Sequence, residues 1–326
     1  MDLLLTLWLG TPVWLWLSFF AVVIGLLALD LGVLHRGNRE IGVRESLGLS
    51  AFYITMGVGF GLWVWWQLGR ETGIAYLTGF VIEKSLAMDN IFVIAMIFTA
   101  FAIPRHLQHR VLFWGVLGVI VLRALMIGAG VALVENFGWV LYVFAAFLIW
   151  TGIGMWRSAG HDYDVQGSRF YRLLTARLRV TDGLRGEHFL VRERAADGVA
   201  RLFATPLLLA LLMIEFVDII FAVDSIPAIF AITTDPFVVY TSNIFAILGL
   251  RALYFALAVM VHRFAYLKHA LAVLLVFIGS KIFLADMLGL AKFPPALSLG
   301  VTFAILAGGI GWSLWRTREG GAEARA

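Results

Sequence analysis

The sequence predicts an all-α polytopic membrane protein of about nine transmembrane helices, with a three-plus-three inverted repeat of helices 3–5 and 6–8. The first observation behind this is composition: 61% of the 326 residues are hydrophobic and only 14% are charged, a balance outside the range of soluble domains. The second is that the apolar residues gather into nine runs long enough to span hydrocarbon. The third is an acidic motif that occurs twice inside those runs.

In chain order the spans lie near 12–34, 47–66, 74–101, 111–133, 138–156, 202–233, 239–261, 268–288 and 296–315. Pro12 suits the first turn of the first span, where a missing N–H leaves no bond unmade, and residues 3–9 are expected in the interface. Asp2 stands where a secretory leader carries positive charge, so no cleaved leader is expected. Trp63, Trp65, Trp66, Trp114, Trp139, Trp156, Trp312 and Trp315 fall near span ends, as an interfacial aromatic belt requires.

Arginine and lysine set the orientation. The loops after spans 1, 3, 5 and 7 and the C-terminal tail hold 19 of the 25, the alternate loops hold only Arg70 and Lys292, and Lys84, Arg123, Arg251 and Lys281 lie within spans. The asymmetry predicts an outside N-terminus and a cytoplasmic C-terminus. The transmembrane domain, 1–316, is interrupted by a cytoplasmic loop, 157–201, with nine arginines and six acidic residues. Ser168–Val180 reads as a basic amphipathic helix on the membrane surface. Two strand-like runs around Asp197-Gly198 suggest a hairpin, and 317–326 reads as a disordered tail. Solvated arginines touching anionic lipid account for the loop's charge without nucleic acid.

The duplicated motif aligns Glu83-Lys-Ser-Leu-Ala-Met-Asp89-Asn90 with Asp218-Ile-Ile-Phe-Ala-Val-Asp224-Ser225. Spans 4 and 7 both contain LRAL, and FLIWTGIGMW in span 5 matches LLVFIGSKIF in span 8. Because the repeat is three spans long, the halves would cross the membrane in opposite senses, an arrangement that places binding sites near the midplane, often on discontinuous helices. Pro227 makes span 6 the expected broken one.

An ionised side chain at mid-membrane costs about 2.5–3.5 kcal/mol on an insertion scale, so each needs a partner and marks a functional candidate. Six acids, Asp30, Glu83, Asp89, Glu215, Asp218 and Asp224, face four bases within the spans. That surplus suits a divalent cation. The seven histidines lie in loops or at span ends and there is no cysteine, so the interior offers oxygen ligands, fitting Mg²⁺, Ca²⁺ or Mn²⁺. The candidate metal residues are Glu83, Asp89, Asn90, Asp218, Asp224 and Ser225, with Asp89, Asn90, Asp224 and Ser225 closest to the ion. Asp30, Glu215 and Asn243 are left unassigned, and Arg123, Arg251 and Lys281 read as structural counter-ions. Neither HExxH nor GxGD occurs, and no GxxxxGK[ST] is present, so a hydrolase or an ATP-driven pump is not expected.

IEKSLAMDNIFV, IEFVDIIFAVDSIPAIFAIT and DPFVVYTSNIFAILGLRALYF resemble the hallmark segments of the TerC family of integral membrane proteins, named from tellurium resistance. The resemblance covers nearly all of 15–315. It departs in AMDN, where SVDN is commoner, and in Gly154, where the fifth helix often has lysine. It implies manganese efflux from the cytoplasm across a bacterial inner membrane, with Mn²⁺ as transported ion, no organic cofactor and no enzymatic activity. Proton antiport is the expected drive. The alternatives are a scaffold that loads metal into exported proteins, or a tellurium-stress component without carrier activity. Expected partners are the metal ion and the bilayer, with membrane-protein partners or a homo-oligomer left open.

Overall fold

A bilayer offers backbone N–H and C=O groups no water, so long apolar runs become helices that satisfy those groups internally. The computed structural model describes residues 2–32, 42–158, 165, 167–194, 199–257, 267–290 and 293–323. The chain opens with α1 (Asp2–Leu5) and a small hairpin of β1 (Leu7–Trp8) and β2 (Thr11–Pro12). Pro12 therefore closes a strand, and α2 (Val13–Gly32) begins one residue later. α3 (Val43–Leu68), α4 (Arg70–Ala100), α5 (Arg105–Asn136) and α6 (Val140–Ser158) follow, then α7 (Arg169–Arg177) and the strands β3 (Leu190–Arg194) and β4 (Ala200–Ala204). α8 (Pro206–Phe230), α9 (Pro236–Ile247), α10 (Leu250–Leu257), α11 (Leu267–Met287) and α12 (Pro295–Glu323) complete the chain. Among the described residues eight segments are long and apolar enough to cross a membrane, with α9 and α10 together forming one of them, Pro236–Leu257. The remaining long helix, α4, has 31 residues and carries Glu83, Lys84 and Asp89 inward. α12 continues into the segment read as a tail, and 324–326 lie outside the described residues.

The break in the bundle is not where the sequence suggests. α8 runs unbroken through Asp218, Asp224 and Pro227, and α4 runs unbroken through its own motif. Pro227 sits in the last turn of α8, where the helix is about to end and one missing N–H disturbs little. The discontinuity falls in the seventh span, where Leu248 is extended and Gly249 has φ +78. Glycine is required there twice over: it alone adopts that backbone freely, and a Cβ would lie 2.5 Å from the Cβ of Tyr53. The carbonyls freed at the break, Ala246 O and Leu248 O, accept hydrogen bonds from Lys84 Nζ at 2.9 and 3.3 Å.

α4 packs on α8 and α9, α5 packs on α8, and α6 packs on α11. Exchanging α4, α5 and α6 for α8, α9 and α11 leaves this set of pairs unchanged. The α6–α11 contact carries the same signature at atomic scale. Gly152 and Gly279 are matching positions of the two halves: a Cβ on Gly152 would come 2.8 Å from Ala272 O, and one on Gly279 would come 2.5 Å from Ala145 O. Ala145 and Ala272 also match. Ala145 and Gly152 lie about 10 Å apart along the helix at 1.5 Å per residue. Both contacts coexist only if α6 and α11 run antiparallel.

The polar loop seats on the end of the bundle. Ser168 Oγ caps α7 by accepting from Tyr171 N at 3.2 Å. Phe170 then stacks on Phe216 of α8 with ring centroids 3.9 Å apart. β3 and β4 pair antiparallel, Leu190 opposite Ala204, as the strand-like runs suggest. Their Asp197-Gly198 turn lies outside the described residues, as do His35, His161 and His262.

Candidate functional site

Where α4, α5, α8 and α9 meet, the bundle encloses a guanidinium. Arg123 of α5 is 1% exposed and is the largest fully buried side chain among the described residues. Its Nε and Nη2 donate to Asp218 Oδ2 and Oδ1 at 3.1 and 2.9 Å, a two-pronged contact that fits the planar fork to the carboxylate. Its Nη1 donates to Glu83, to Ser225 Oγ at 3.0 Å and, at 3.4 Å, to Asn243 Oδ1. Two carboxylates from matching positions of the two motifs therefore share one cation. Buried away from bulk solvent, each carboxylate is stabilised by that shared cation.

Beside this hub lies a small cavity lined by Glu83, Leu86, Asp89, Asn90, Arg123, Met155, Phe221, Asp224, Ser225 and Leu275. Helical periodicity turns Asp89 and Asp224 away from the faces of Glu83 and Asp218, so the second carboxylate of each motif reaches the cavity without reaching Arg123. Asp89 Oδ1 and Asn90 Oδ1 are buried there with no hydrogen-bond donor among the described residues. Asp224 faces the hydroxyl of Thr151 in α6. The cavity thus gathers five of the six sequence-selected residues. The sixth, Asp218, lies on the other side of the guanidinium, where with Asn90 it lines a second, mostly apolar cavity between α5 and α8.

Among the described residues no three Asp, Glu or His side chains converge closely enough to hold a metal ion by themselves. The oxygens left without a donor among the described residues are Asp89 Oδ1 and Asn90 Oδ1, and with Asp224 beside them a cation in the cavity would meet a mixed carboxylate and amide set.

Arg123 was legible as a counter-ion, and its partners are the two first-position carboxylates. Arg251 likewise pairs with Asp30, joining α10 to α2. Lys281 differs from the counter-ion reading: among the described residues it bonds Ser298 Oγ at 3.2 Å and pairs with no carboxylate. Asn243, fully buried, belongs to the Arg123 shell. Glu215 packs against Gly118 with Oε2 buried and unbonded, outside the acidic cavity. The sequence signal for the hub was a basic residue inside an apolar run. It could not name the partners, which lie 40 and 95 residues away.

Comparison with protein families matches residues 68–320 to the description "Integral membrane protein TerC family". A Myxococcus xanthus protein described as "Uncharacterized membrane protein STKORF319" is 47% identical over 310 residues, covering 95% of this chain and 94% of its own. A Salmonella typhi protein described as "Putative membrane-bound redox modulator Alx" is 49% identical over 306 residues, covering 91% of this chain and 92% of its own. An uncharacterised membrane protein of Rickettsia bellii is 45% identical over 295 residues, covering 90% and 95%. No solved structure matches.

Proposed function

The chain belongs to the TerC family of integral membrane proteins, and from that premise we propose that it carries a divalent metal ion, manganese foremost, out of the cytoplasm in exchange for protons. One observation carries the reading: Arg123 engages Glu83 and Asp218, while Asp89 and Asp224 line the adjoining cavity and, among the described residues, form no ion pair with Arg123 or with another basic side chain. Two free carboxylates match the charge of one divalent cation, and the Asn90 amide oxygen adds a neutral donor of the oxygen class that manganese accepts.

Protons and metal compete for those oxygens, because a ligating carboxylate must be ionised. On the cytoplasmic side metal displaces protons, and outside protons displace metal. The antiparallel contact of α6 with α11 supports a full inverted repeat, with the two halves rocking about the central site. The charge asymmetry of the loops supports an inner-membrane orientation with the N-terminus outside. A redox role such as the Salmonella typhi relative's description names could not run on cysteine thiols here, because this sequence has none. A metal carrier would reach redox balance indirectly, through the ion it removes.

The test is uptake of radioactive manganese into inside-out vesicles, followed by reconstitution with a pH-sensitive dye at clamped potential. Metal uptake with counter-flow of protons supports the reading. Manganese binding without flux would instead make the protein a metal-loading scaffold.

A further inference from the structure

Away from the acidic cavity, and sharing no lining residue with it, a cavity of about 270 Å³ opens at the end of the bundle where α8 and α11 finish and α12 begins. Its polar lining includes Thr78, Thr233, Thr234, Lys281, Asp286 and Ser298. Lys281 is only 4% exposed, and among the described residues its ammonium has one hydrogen-bond partner, Ser298 Oγ. Asp286 does not neutralise it: that carboxylate is exposed and accepts from the Tyr142 hydroxyl at 2.8 Å. A buried ammonium without a carboxylate partner is costly to hold. It faces a space able to contain its counter-ion.

Apart from the exposed Asp286 carboxylate at the rim, the polar side chains around that space can donate. Thr233 Oγ1 already accepts from Asp235 N at 3.1 Å, so its O–H remains to be given. Ser298 accepts from Lys281 and keeps its own proton. Thr78 drops out, because its hydroxyl donates to Ile74 O at 2.7 Å. α12, 29 residues long, starts at Pro295 on the cavity wall, and the first turn of a helix presents N–H groups that favour negative charge.

We propose that this cavity binds a small anion, an inorganic oxyanion or a short carboxylate, as the counter-ion of Lys281, held by the ammonium and by the hydroxyls of Ser298 and Thr233. The space holds such an anion with several waters, each occupying about 30 Å³ in the liquid. A cation is disfavoured there by the same ammonium. The site stands apart from the metal reading, since its cavity shares no lining residue with the acidic one.

The test uses full-length protein in nanodiscs, titrated with sodium phosphate, sodium acetate or sodium chloride at constant ionic strength, with binding read by calorimetry. Saturable binding of phosphate or acetate is expected, and the arm that saturates identifies the anion class. Lys281→Met should weaken it at least tenfold and Thr233→Val several-fold, with manganese binding of Thr233→Val unchanged in the same preparation. If Lys281→Met is not monodisperse, Thr233→Val decides. Saturation by chloride alone, saturation by none of the three, or wild-type phosphate and acetate affinity in the folded variants would overturn the proposal.

Discussion

Replacing Arg123 by methionine would remove the one cation shared by Glu83 and Asp218 and leave their carboxylates facing apolar helix. Bonds of 2.9 and 3.1 Å to Asp218 and 3.0 Å to Ser225 are lost, together with the bond to Glu83 and the 3.4 Å contact to Asn243. Deleting one partner of a buried ion pair costs about 3–5 kcal/mol, chiefly because the surviving charge stays buried. For a chain of this size, with an unfolding entropy of about 2.1 cal/mol/K per residue and so about 1.5 °C per kcal/mol, that is a fall of roughly 4–7 °C in unfolding temperature. Arg123→Lys keeps the charge but not the fork, and should lie between the two. The triple variant Arg123→Met with Glu83→Gln and Asp218→Asn should recover much of the loss, because no net charge then remains buried at the hub. Thermal unfolding of purified protein in nanodiscs reads all three. Wild-type unfolding of Arg123→Met, or additive rather than compensating effects in the triple variant, would refute the argument that this guanidinium stabilises the two carboxylates it bonds.

Asp89→Asn and Asp224→Asn should each weaken manganese binding at least tenfold by calorimetry, and wild-type affinity in both would move the cargo site elsewhere. In the unaltered protein, manganese affinity should rise with pH until both carboxylates are ionised, because each bound metal displaces protons from its ligands; a flat profile in a pH titration removes the proposed coupling. Gly279→Val forces side-chain atoms against Ala145 O, where even a Cβ lies at 2.5 Å, and should cost about 1–3 kcal/mol as an overpacking change, read by thermal unfolding. Gly249→Ala should destabilise by about 1–2 kcal/mol, the penalty for an L side chain in the left-handed region, with more added by the Tyr53 contact; unchanged stability would show that the break in the seventh span relaxes freely.

The spans, the duplicated acidic motif, the amphipathic segment and the hairpin strands were legible in the sequence because each depends on local periodicity and on the cost of polar groups in hydrocarbon. A run of apolar residues has one outcome in a bilayer, whatever it later packs against. The pairing of Arg123 with Glu83 and Asp218 had no such local determinant. Any of the four bases within the spans could have met any of six acids, and only the packing of α5 between α4 and α8 selected the pair. The same packing sent Lys84 to the carbonyls of the broken span and left Lys281 facing a cavity with no carboxylate partner among the described residues. The break itself shows the difference most plainly. Proline was the visible signal, yet Pro227 is absorbed in the final turn of α8. The chain opens at Gly249 because the body of Tyr53 occupies the space a side chain would need and Lys84 supplies the donors that the freed carbonyls require. Composition placed this chain in the membrane and marked the residues that cost most to bury there; which of those residues pair with one another was decided by contacts between helices distant in sequence.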